Sequence, residues 1–115
     1  MTRHRIVLVP FPFDDLSSYK VRPAVCLTEP VGPHRHVVLA FITSRIPDHP
    51  LPTDLVLDEE DGDFPDSGLR VSSTIMLHRL ATVSTSLIRR ELGMLPATRQ
   101  RVLSERLIGL FGLNE

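Results

Sequence analysis

The sequence offers almost no covalent cross-linking, since its 115 residues include one cysteine. It also contains no tryptophan. A single cysteine excludes an intramolecular disulfide and fits a reducing compartment. Cys26 lies within an apolar run, which favours a buried small side chain over a reactive thiol. Stability must come from one hydrophobic core, and a chain of this length predicts a single domain over residues 1–115.

Long apolar runs are also absent. The run over residues 6–13 is interrupted by Pro10 and Pro12 and is much shorter than the ~20 apolar residues that cross a bilayer. It also lacks the small-residue cleavage site of a signal peptide. We therefore expect a protein that has no contact with a membrane and works in the cytoplasm.

Motifs for metals and cofactors are missing as well. The five histidines are scattered, and no CxxC or HxxxH pattern accompanies them. No Gly-rich phosphate loop, nucleophile elbow or dinucleotide fingerprint occurs. Asp14 and Asp15 form a possible carboxylate pair, although their setting is more typical of a turn in a long hairpin loop. The sequence predicts neither a metal nor an organic cofactor.

Charge is unevenly distributed behind a net charge of −1. Residues 46–66 carry eight acidic side chains and no Lys or Arg. Residues 1–45 carry six Lys/Arg against three Asp/Glu, and residues 67–115 carry seven Arg against three Glu. This pattern predicts a solvated acidic loop, away from any bound nucleic acid, and permits a cationic face that attracts phosphate.

Short runs rich in β-branched and aromatic residues predict a mainly β protein. The predicted strands are 6–11, 23–28, 36–43, 54–58, 72–78 and 89–95, with 80–83 either extending the fifth strand or starting another. Most prolines and glycines fall between these runs, as turn residues do. The spacing favours a small barrel or a strongly twisted sheet over alternating βα units.

Two helical segments complete the pattern. Ser84 can cap a short helical turn that runs to Ile88. Pro96 suits the first position of a terminal helix, and Gly112 suits its end. The apolar positions predicted to face the sheet are Leu103, Leu107, Leu110 and Phe111, and the polar positions predicted to face solvent are Arg99, Gln100 and Arg106.

One constellation of residues could act on a phosphodiester. Arg22 precedes Pro23 at the mouth of a predicted strand, and Thr43 and Ser44 end the next one. The planar guanidinium fork matches two phosphate oxygens, and a hydroxyl can bond the same group. RNA would suit such a site, because its 2′-OH supplies the nucleophile. Taken alone, the pattern leaves an ordinary surface arginine as the alternative.

Three segments of the chain match the motifs of a known family. They are IVLVPFPFDDLSSYKVRPAVCLT (6–28), AFITS (40–44) and GLRVSSTIMLHRLATVS (68–84). In these segments the chain resembles the MazF/PemK family of toxin endoribonucleases. The resemblance implies an SH3-like barrel of about six to seven strands with a short helix and a C-terminal α-helix. It also implies metal-independent cleavage of single-stranded RNA at a short sequence, leaving a 2′,3′-cyclic phosphate and a 5′-OH.

The resemblance also implies roles for particular residues and partners. The family's catalytic arginine and threonine fall on Arg22 and Thr43, with Ser44 beside them. Lys20 and Arg45 are expected to bind RNA together with Arg22, and so is Arg5. The implied partners are single-stranded RNA, with messenger RNA the expected class, a cognate antitoxin with an acidic segment that covers the RNA groove, and a second copy of the chain in a homodimer.

One departure and two alternatives accompany this resemblance. His4-Arg5 stands where the family usually has Gly-Asp, which puts the geometry of that turn in question. A gyrase poison of the CcdB type shares the architecture, but its C-terminal Trp-Gly-Ile is missing here because the chain ends at 111–115 without tryptophan. An inactive family member is the third reading, and the presence of both Arg22 and Thr43 argues against it.

Overall fold

The computed structural model describes residues 1–11 and 20–113. The described elements, in chain order, are β1 (Arg5–Phe11), β2 (Lys20–Cys26), β3 (His36–Thr43), β4 (Asp54–Leu57), β5 (Ser73–Ser84), β6 (Arg90–Met94) and α1 (Ala97–Phe111), with short 3-10 helices at Phe64–Ser67 and Thr85–Leu87. Among the described helices, none is long and apolar enough to cross a membrane.

The strands form one antiparallel sheet, curled as a half-closed barrel, in the order β4-β5-β3-β2-β1-β6. Alternate side chains enter two apolar clusters, as the two-residue period of a strand requires. Ile6 and Val25 belong to the cluster that includes Leu103 of α1, whereas Val7 and Ala24 belong to the other. The mainly β fold with a C-terminal helix is therefore confirmed.

The start of β2 differs from the prediction, and the alternative left open for residues 80–83 is resolved. β2 begins at Lys20, before the predicted start, because residues 20–23 pair with β1. The runs 72–78 and 80–83 are parts of a single strand, β5. Its register against β3 shifts where Ala40 pairs with Leu80 and the next residue, Phe41, pairs with Met76. Such an irregularity bends a strand and increases its twist.

Some of the features predicted for the terminal helix are confirmed, and others are wrong. Pro96 is the residue before the helix, with ψ 140°, and not its first helical residue. The helix ends at Gly112, as predicted. Leu103 is buried, but Phe111 is 58% exposed, so the prediction that Phe111 packs on the sheet is wrong. Arg106 does not simply face solvent, since its guanidinium donates to the main-chain carbonyl of Asp54.

The backbone conformation of His4 shows how the N-terminal turn forms without the family's usual glycine. Its φ of 76° lies in the left-handed region, which suits glycine and costs a residue with a Cβ about 1–2 kcal/mol. The main chain holds this conformation from both sides: the His4 N–H donates to Cys26 at 2.8 Å, and the His4 carbonyl accepts from Leu95 at 2.8 Å. The turn therefore forms without glycine, at the expense of backbone strain.

Burial of the His4 side chain adds a second free-energy cost to folding. Its Nε2 atom is buried and has no hydrogen-bond partner among the described residues. Burial lowers the pKa of His4, and the neighbouring charge of Arg3 lowers it further. The folded protein thus resists protonation of this imidazole more than the unfolded chain does.

Replacing His4 by glycine should stabilise the protein, most clearly in mild acid. Glycine removes the left-handed strain, which favours the variant by up to about 1 kcal/mol at pH 8. In the wild type, stability should fall as the pH drops below about 6.5 and stop falling below the lowered folded pKa, because the unfolded state binds the proton first. Urea unfolding at pH 8 and pH 5 measures both effects. An equal pH dependence in the two proteins would contradict this account of His4.

Two glycines allow the 3-10 helix at 64–67 to lie directly against β6. A Cβ on Gly68, which has φ 72°, would approach the Leu92 carbonyl oxygen to 2.0 Å. A Cβ on Gly93 would approach the Asp66 carbonyl oxygen to 2.3 Å. Both neighbours are backbone atoms and cannot move aside by a change of rotamer. This contact fixes where the chain leaves the 3-10 helix, at residues 68–71.

Gly93→Ala should therefore destabilise the fold, by about 1–3 kcal/mol as for other overpacked sites. Gly109→Ala is the matched control, because a Cβ at that helical position meets nothing within 4 Å. It should be neutral or stabilise the protein by up to about 1 kcal/mol, through helix propensity. Urea denaturation of both variants checks the contrast. Equal stability of the two would mean that the backbone contact at Gly93 is not tight.

Candidate active site

A groove opens where β2 and β3 separate. The two strands pair across 24–26 and 39–41. Beyond that point 20–23 stay with β1, and 42–43 stay with β5. Pro23 lies at the separation and has no N–H to donate to a neighbouring strand. The Arg-Pro pair singled out from the sequence thus lies at the point where the sheet divides.

The groove brings together the three residues predicted to be catalytic. Arg22 and Pro23 come from β2, and Thr43, Ser44 and Arg45 come from the end of β3; all five line one cavity of about 840 Å³. Arg22 and Thr43 are 21 positions apart along the chain. The division of the sheet makes them neighbours on a single surface.

The end of β3 is held in a defined shape by two hydrogen bonds. The main-chain N–H of Arg45 donates to Oγ1 of Thr43 at 3.2 Å. The hydroxyl of Thr74, on β5, donates to the carbonyl of Arg45 at 2.9 Å. Because Thr43 Oγ1 acts as an acceptor here, its own hydroxyl hydrogen remains available to donate to a ligand in the groove.

The guanidinium of Arg22 is exposed and forms no hydrogen bond or ion pair with another described residue. The described lining of the groove contains no carboxylate, while it includes further unpaired arginines. The arginines that line it are Arg22, Arg45, Arg70, Arg79 and Arg90. Like charges that are not neutralised by acidic neighbours create a positive potential, which attracts an anionic ligand.

Sequence reasoning missed three of these arginines. Arg70 follows the 3-10 helix, Arg79 lies in the irregular part of β5, and Arg90 begins β6. The excess of arginine over residues 67–115 was the available signal. The excess could not identify which arginines reach the groove, because their positions depend on the curl of the sheet and on the contact between Gly68 and β6.

Two predicted RNA-binding residues lie elsewhere. Lys20 pairs with Phe11, a groove residue, but does not itself line the cavity. Arg5 lies at the opposite end of β1 from Arg22 and forms an ion pair with Glu91 at 3.2 Å. Its Nε–H also donates to the Met1 carbonyl at 3.1 Å. Arg5 is therefore not part of this groove. The Asp14–Asp15 pair lies outside the described residues.

A second cavity, of about 510 Å³, adjoins the groove and shares Thr43 and Arg45 with it. Asp48 and Asp54 contribute to its lining. Part of the acidic segment therefore lies beside the groove, which corrects the prediction that the whole segment is a solvated loop far from it. Another part is tied to the helix, since Arg99 pairs with Asp61 at 3.2 Å.

Cys26, the single cysteine of the chain, does not line the groove. Burial raises the pKa of the Cys26 thiol to about 11, so the thiol is protonated at neutral pH. Within residues 1–11 and 20–113, no group of three or more His, Cys, Asp or Glu is arranged to hold a metal ion. The described groove can bind and polarise an anion through guanidinium and hydroxyl groups.

Together the fold and the groove define a small curled-sheet protein with a cationic cleft. Over residues 2–111 the sequence matches the family described as PemK-like, MazF-like toxin of type II toxin–antitoxin systems. The chain belongs to this family of toxins. Comparison with curated protein sequences gives no match.

Solved structures of toxins share the fold. A Mycobacterium tuberculosis toxin, MazF-mt6, superposes with a TM-score of 0.72 at 23% identity, covering 96% of this chain and 99% of that one. An endoribonuclease in complex with its cognate antitoxin, from a mycobacterial species, gives 0.71 at 16% identity, covering 100% and 98%. A structure described as an Mtb toxin gives 0.61 at 28% identity, covering 76% and 90%.

Proposed function

We propose that this toxin is an endoribonuclease that cleaves single-stranded RNA without a metal ion. The observation that carries the proposal is the groove itself: the guanidinium of Arg22, which has no partner among the described residues, lines it together with Thr43 and four more arginines. RNA is an extended polyanion whose phosphates suit such a cleft. Family membership and the mycobacterial endoribonuclease of the same fold support the assignment.

The proposed reaction is an attack by the 2′-OH on the adjacent phosphorus. The new bond joins the 2′-oxygen to phosphorus, and the bond from phosphorus to the 5′-oxygen breaks. The 2′-OH gives up its proton, and the leaving 5′-oxygen takes one up. The products are a 2′,3′-cyclic phosphate and a 5′-OH, and no water is consumed in this step.

Each groove residue then has a defined task. Arg22 stabilises the extra negative charge on the phosphoryl oxygens in the transition state. Thr43 donates its hydroxyl hydrogen to the same group, and the bond from the Arg45 N–H keeps Thr43 oriented. Ser44, which is exposed beside it, contacts the phosphate or an adjoining sugar. The protein thus contributes charge and alignment, while RNA supplies the nucleophile.

The proposed partners follow from the same groove. Messenger RNA is the proposed substrate class, and a cognate antitoxin would inhibit by laying an acidic segment along the arginines. A homodimer with one groove in each subunit is the proposed assembly. A toxin that acts only by protein contact would not need a guanidinium and a hydroxyl in the same groove, so loss of Arg22 separates the two mechanisms.

Arg22→Ala should lower the cleavage rate by about 10²–10³, as for the loss of one donor to a developing oxyanion. Arg22→Lys should also be impaired, since an ammonium cannot replace the fork. Arg101→Ala is the matched control, because Arg101 is exposed on α1 and does not line the groove. Single-turnover cleavage of a labelled RNA measures the rates. Near-normal cleavage by folded Arg22→Ala would remove Arg22 from the mechanism.

Thr43→Val keeps the branched shape and removes the hydroxyl. We expect a rate reduced by about tenfold or more, through the lost bond to a charged group, and a stability loss of about 1 kcal/mol through the lost acceptor for Arg45. Thr82→Val, on an exposed position of β5, should change neither quantity. Ser44→Ala should have the smaller effect on rate. If Ser44→Ala is the more damaging change, the roles of the two hydroxyls must be exchanged.

Cleavage should persist in excess EDTA and should fail when the scissile nucleotide lacks its 2′-OH. Both results follow from a mechanism in which arginine stabilises the charge and RNA provides the nucleophile. End-group analysis by mass spectrometry should find cyclic phosphate. Products that carry a 5′-phosphate, or cleavage of the 2′-deoxy substrate, would contradict the proposal.

A further inference from the structure

Thr74 is a buried residue whose hydroxyl binds the main chain of the neighbouring strand. It lies on β5, paired with Thr43 of β3, and is 1% exposed. Its hydroxyl donates to the carbonyl of Arg45 at 2.9 Å. A buried hydroxyl is costly without a partner, and here the partner lies two residues beyond Thr43. The bond therefore reaches past the end of β3 to the residue whose N–H contacts Thr43.

The bond from Thr74 is the last main-chain anchor before a segment that has no hydrogen bonds of its own. Residues 46–50 form none with any described residue, and the two prolines among them have no N–H to donate. The next anchor is the N–H of Leu51, which donates to Oδ2 of Asp54 at 2.9 Å. Without the Thr74 hydroxyl, Arg45 would become part of this loosely held segment.

The main chain of Arg45 connects this anchor to the hydroxyl proposed to act on the phosphate. The Arg45 N–H donates to Oγ1 of Thr43 at 3.2 Å, so it occupies one acceptor site of that oxygen and limits the directions in which the Thr43 hydroxyl can donate. A residue held at its carbonyl as well as at its N–H has less freedom to turn away from Thr43. Alignment of groups at a reacting centre contributes strongly to rate.

We propose that Thr74 is a positioning residue for RNA cleavage, which acts on Thr43 through the main chain of Arg45. The proposal rests on the proposed function, because it takes Thr43 as the hydroxyl that contacts the scissile phosphate. Thr74 itself is too deeply buried to bind RNA. Its effect should therefore appear in the rate of the chemical step and not in the affinity for RNA, which depends on the exposed arginines of the groove.

Two substitutions at position 74 separate positioning from stability. Thr74→Val keeps the branched shape but removes the hydroxyl, whereas Thr74→Ser keeps the hydroxyl and leaves a space where the methyl group was. The serine variant should cleave RNA at close to the wild-type rate, although urea should unfold it more easily than the wild type. The valine variant should remain folded but cleave about tenfold more slowly, which is the scale of one hydrogen bond.

Single-turnover cleavage of a labelled RNA at saturating protein measures these rates, and fluorescence anisotropy with a 2′-fluoro RNA measures affinity. Thr74→Val should leave the affinity unchanged. Thr82→Val, which is the same change at an exposed position of β5, should alter neither quantity. A valine variant with the wild-type rate, a serine variant as slow as the valine variant, or weaker RNA binding in place of slower cleavage would overturn the proposal.

A double-mutant cycle tests the route through Thr43. If Thr74 acts through Thr43, Thr74→Val should slow cleavage little further once Thr43→Val has removed the second hydroxyl. If the two separate losses multiply in the double variant, Thr74 does not act through Thr43 and the proposal is overturned.

A measurement on the free protein separates this proposal from the cleavage chemistry. Amide hydrogen exchange reports how firmly the Arg45 N–H is held at Thr43. Exchange at Arg45 should be about tenfold faster in Thr74→Val than in the wild type, and unchanged in Thr74→Ser. This result supports the positioning of Thr43 even if no RNA is cleaved, in which case only the proposed reaction fails. Equal exchange in the wild type and Thr74→Val would overturn the positioning even if cleavage is found.

Discussion

The rest of the site depends on the loss of pairing between β2 and β3 at Pro23. A proline cannot donate to a sheet ladder, so one strand remains with β1 while the other remains with β5. The opening exposes Arg22 on one side and the Thr43 hydroxyl on the other. A continuous ladder through this point would close the space that the groove occupies.

The rest of the molecule holds that opening in one shape. Thr74 and Arg45 fix the end of β3 by hydrogen bonds. The contact of Gly68 and Gly93 backbones positions the segment that carries Arg70. Leu103 anchors α1 in the core on one face of the sheet. In the proposed reaction a preorganised site of this kind would stabilise charge without rearranging, which is where electrostatic catalysis gains its advantage over water.

The proposed function also requires positive charge that acidic side chains of the protein do not neutralise. Arg5 and Arg99 form ion pairs with Glu91 and Asp61, outside the groove. The groove arginines have no such partners among the described residues. Mutual repulsion among them disfavours the free protein slightly, and a bound polyanion relieves it. The same imbalance accounts for both proposed ligands, RNA and an acidic antitoxin segment.

The sequence predicted those features that depend on local pattern. The content of β-branched and aromatic residues identified β1 and β3, and the Ser84 cap preceded a short helix as expected. Features set by tertiary contacts escaped it: the irregularity that makes β5 one bent strand, and the arrival of Arg79 and Arg90 in the groove. Phe111 has helical spacing, but α1 buries its middle and leaves its last turn exposed.

His4 shows a second limit of prediction from the sequence. Its place in the sequence marked a departure from the family pattern, but only the backbone reveals a left-handed residue held between Cys26 and Leu95. Asp54 is similar. Its charge placed it in an acidic segment, whereas the structure shows a buried carboxylate whose Oδ2 atom accepts the main-chain N–H of Leu51. Composition reports how many charges a segment has, not which of their atoms lack partners.

The central claim is that the fork at Pro23 receives a phosphodiester between Arg22 and Thr43. NMR of the arginine Nε–H groups during titration with a 2′-fluoro RNA tests it directly. The account predicts that the Arg22 and Arg45 signals shift together and saturate with a single isotherm, while those of Arg5 and Arg99 stay in place. An unmoved Arg22 signal at saturation, or equal shifts at Arg5 and Arg99, would contradict it.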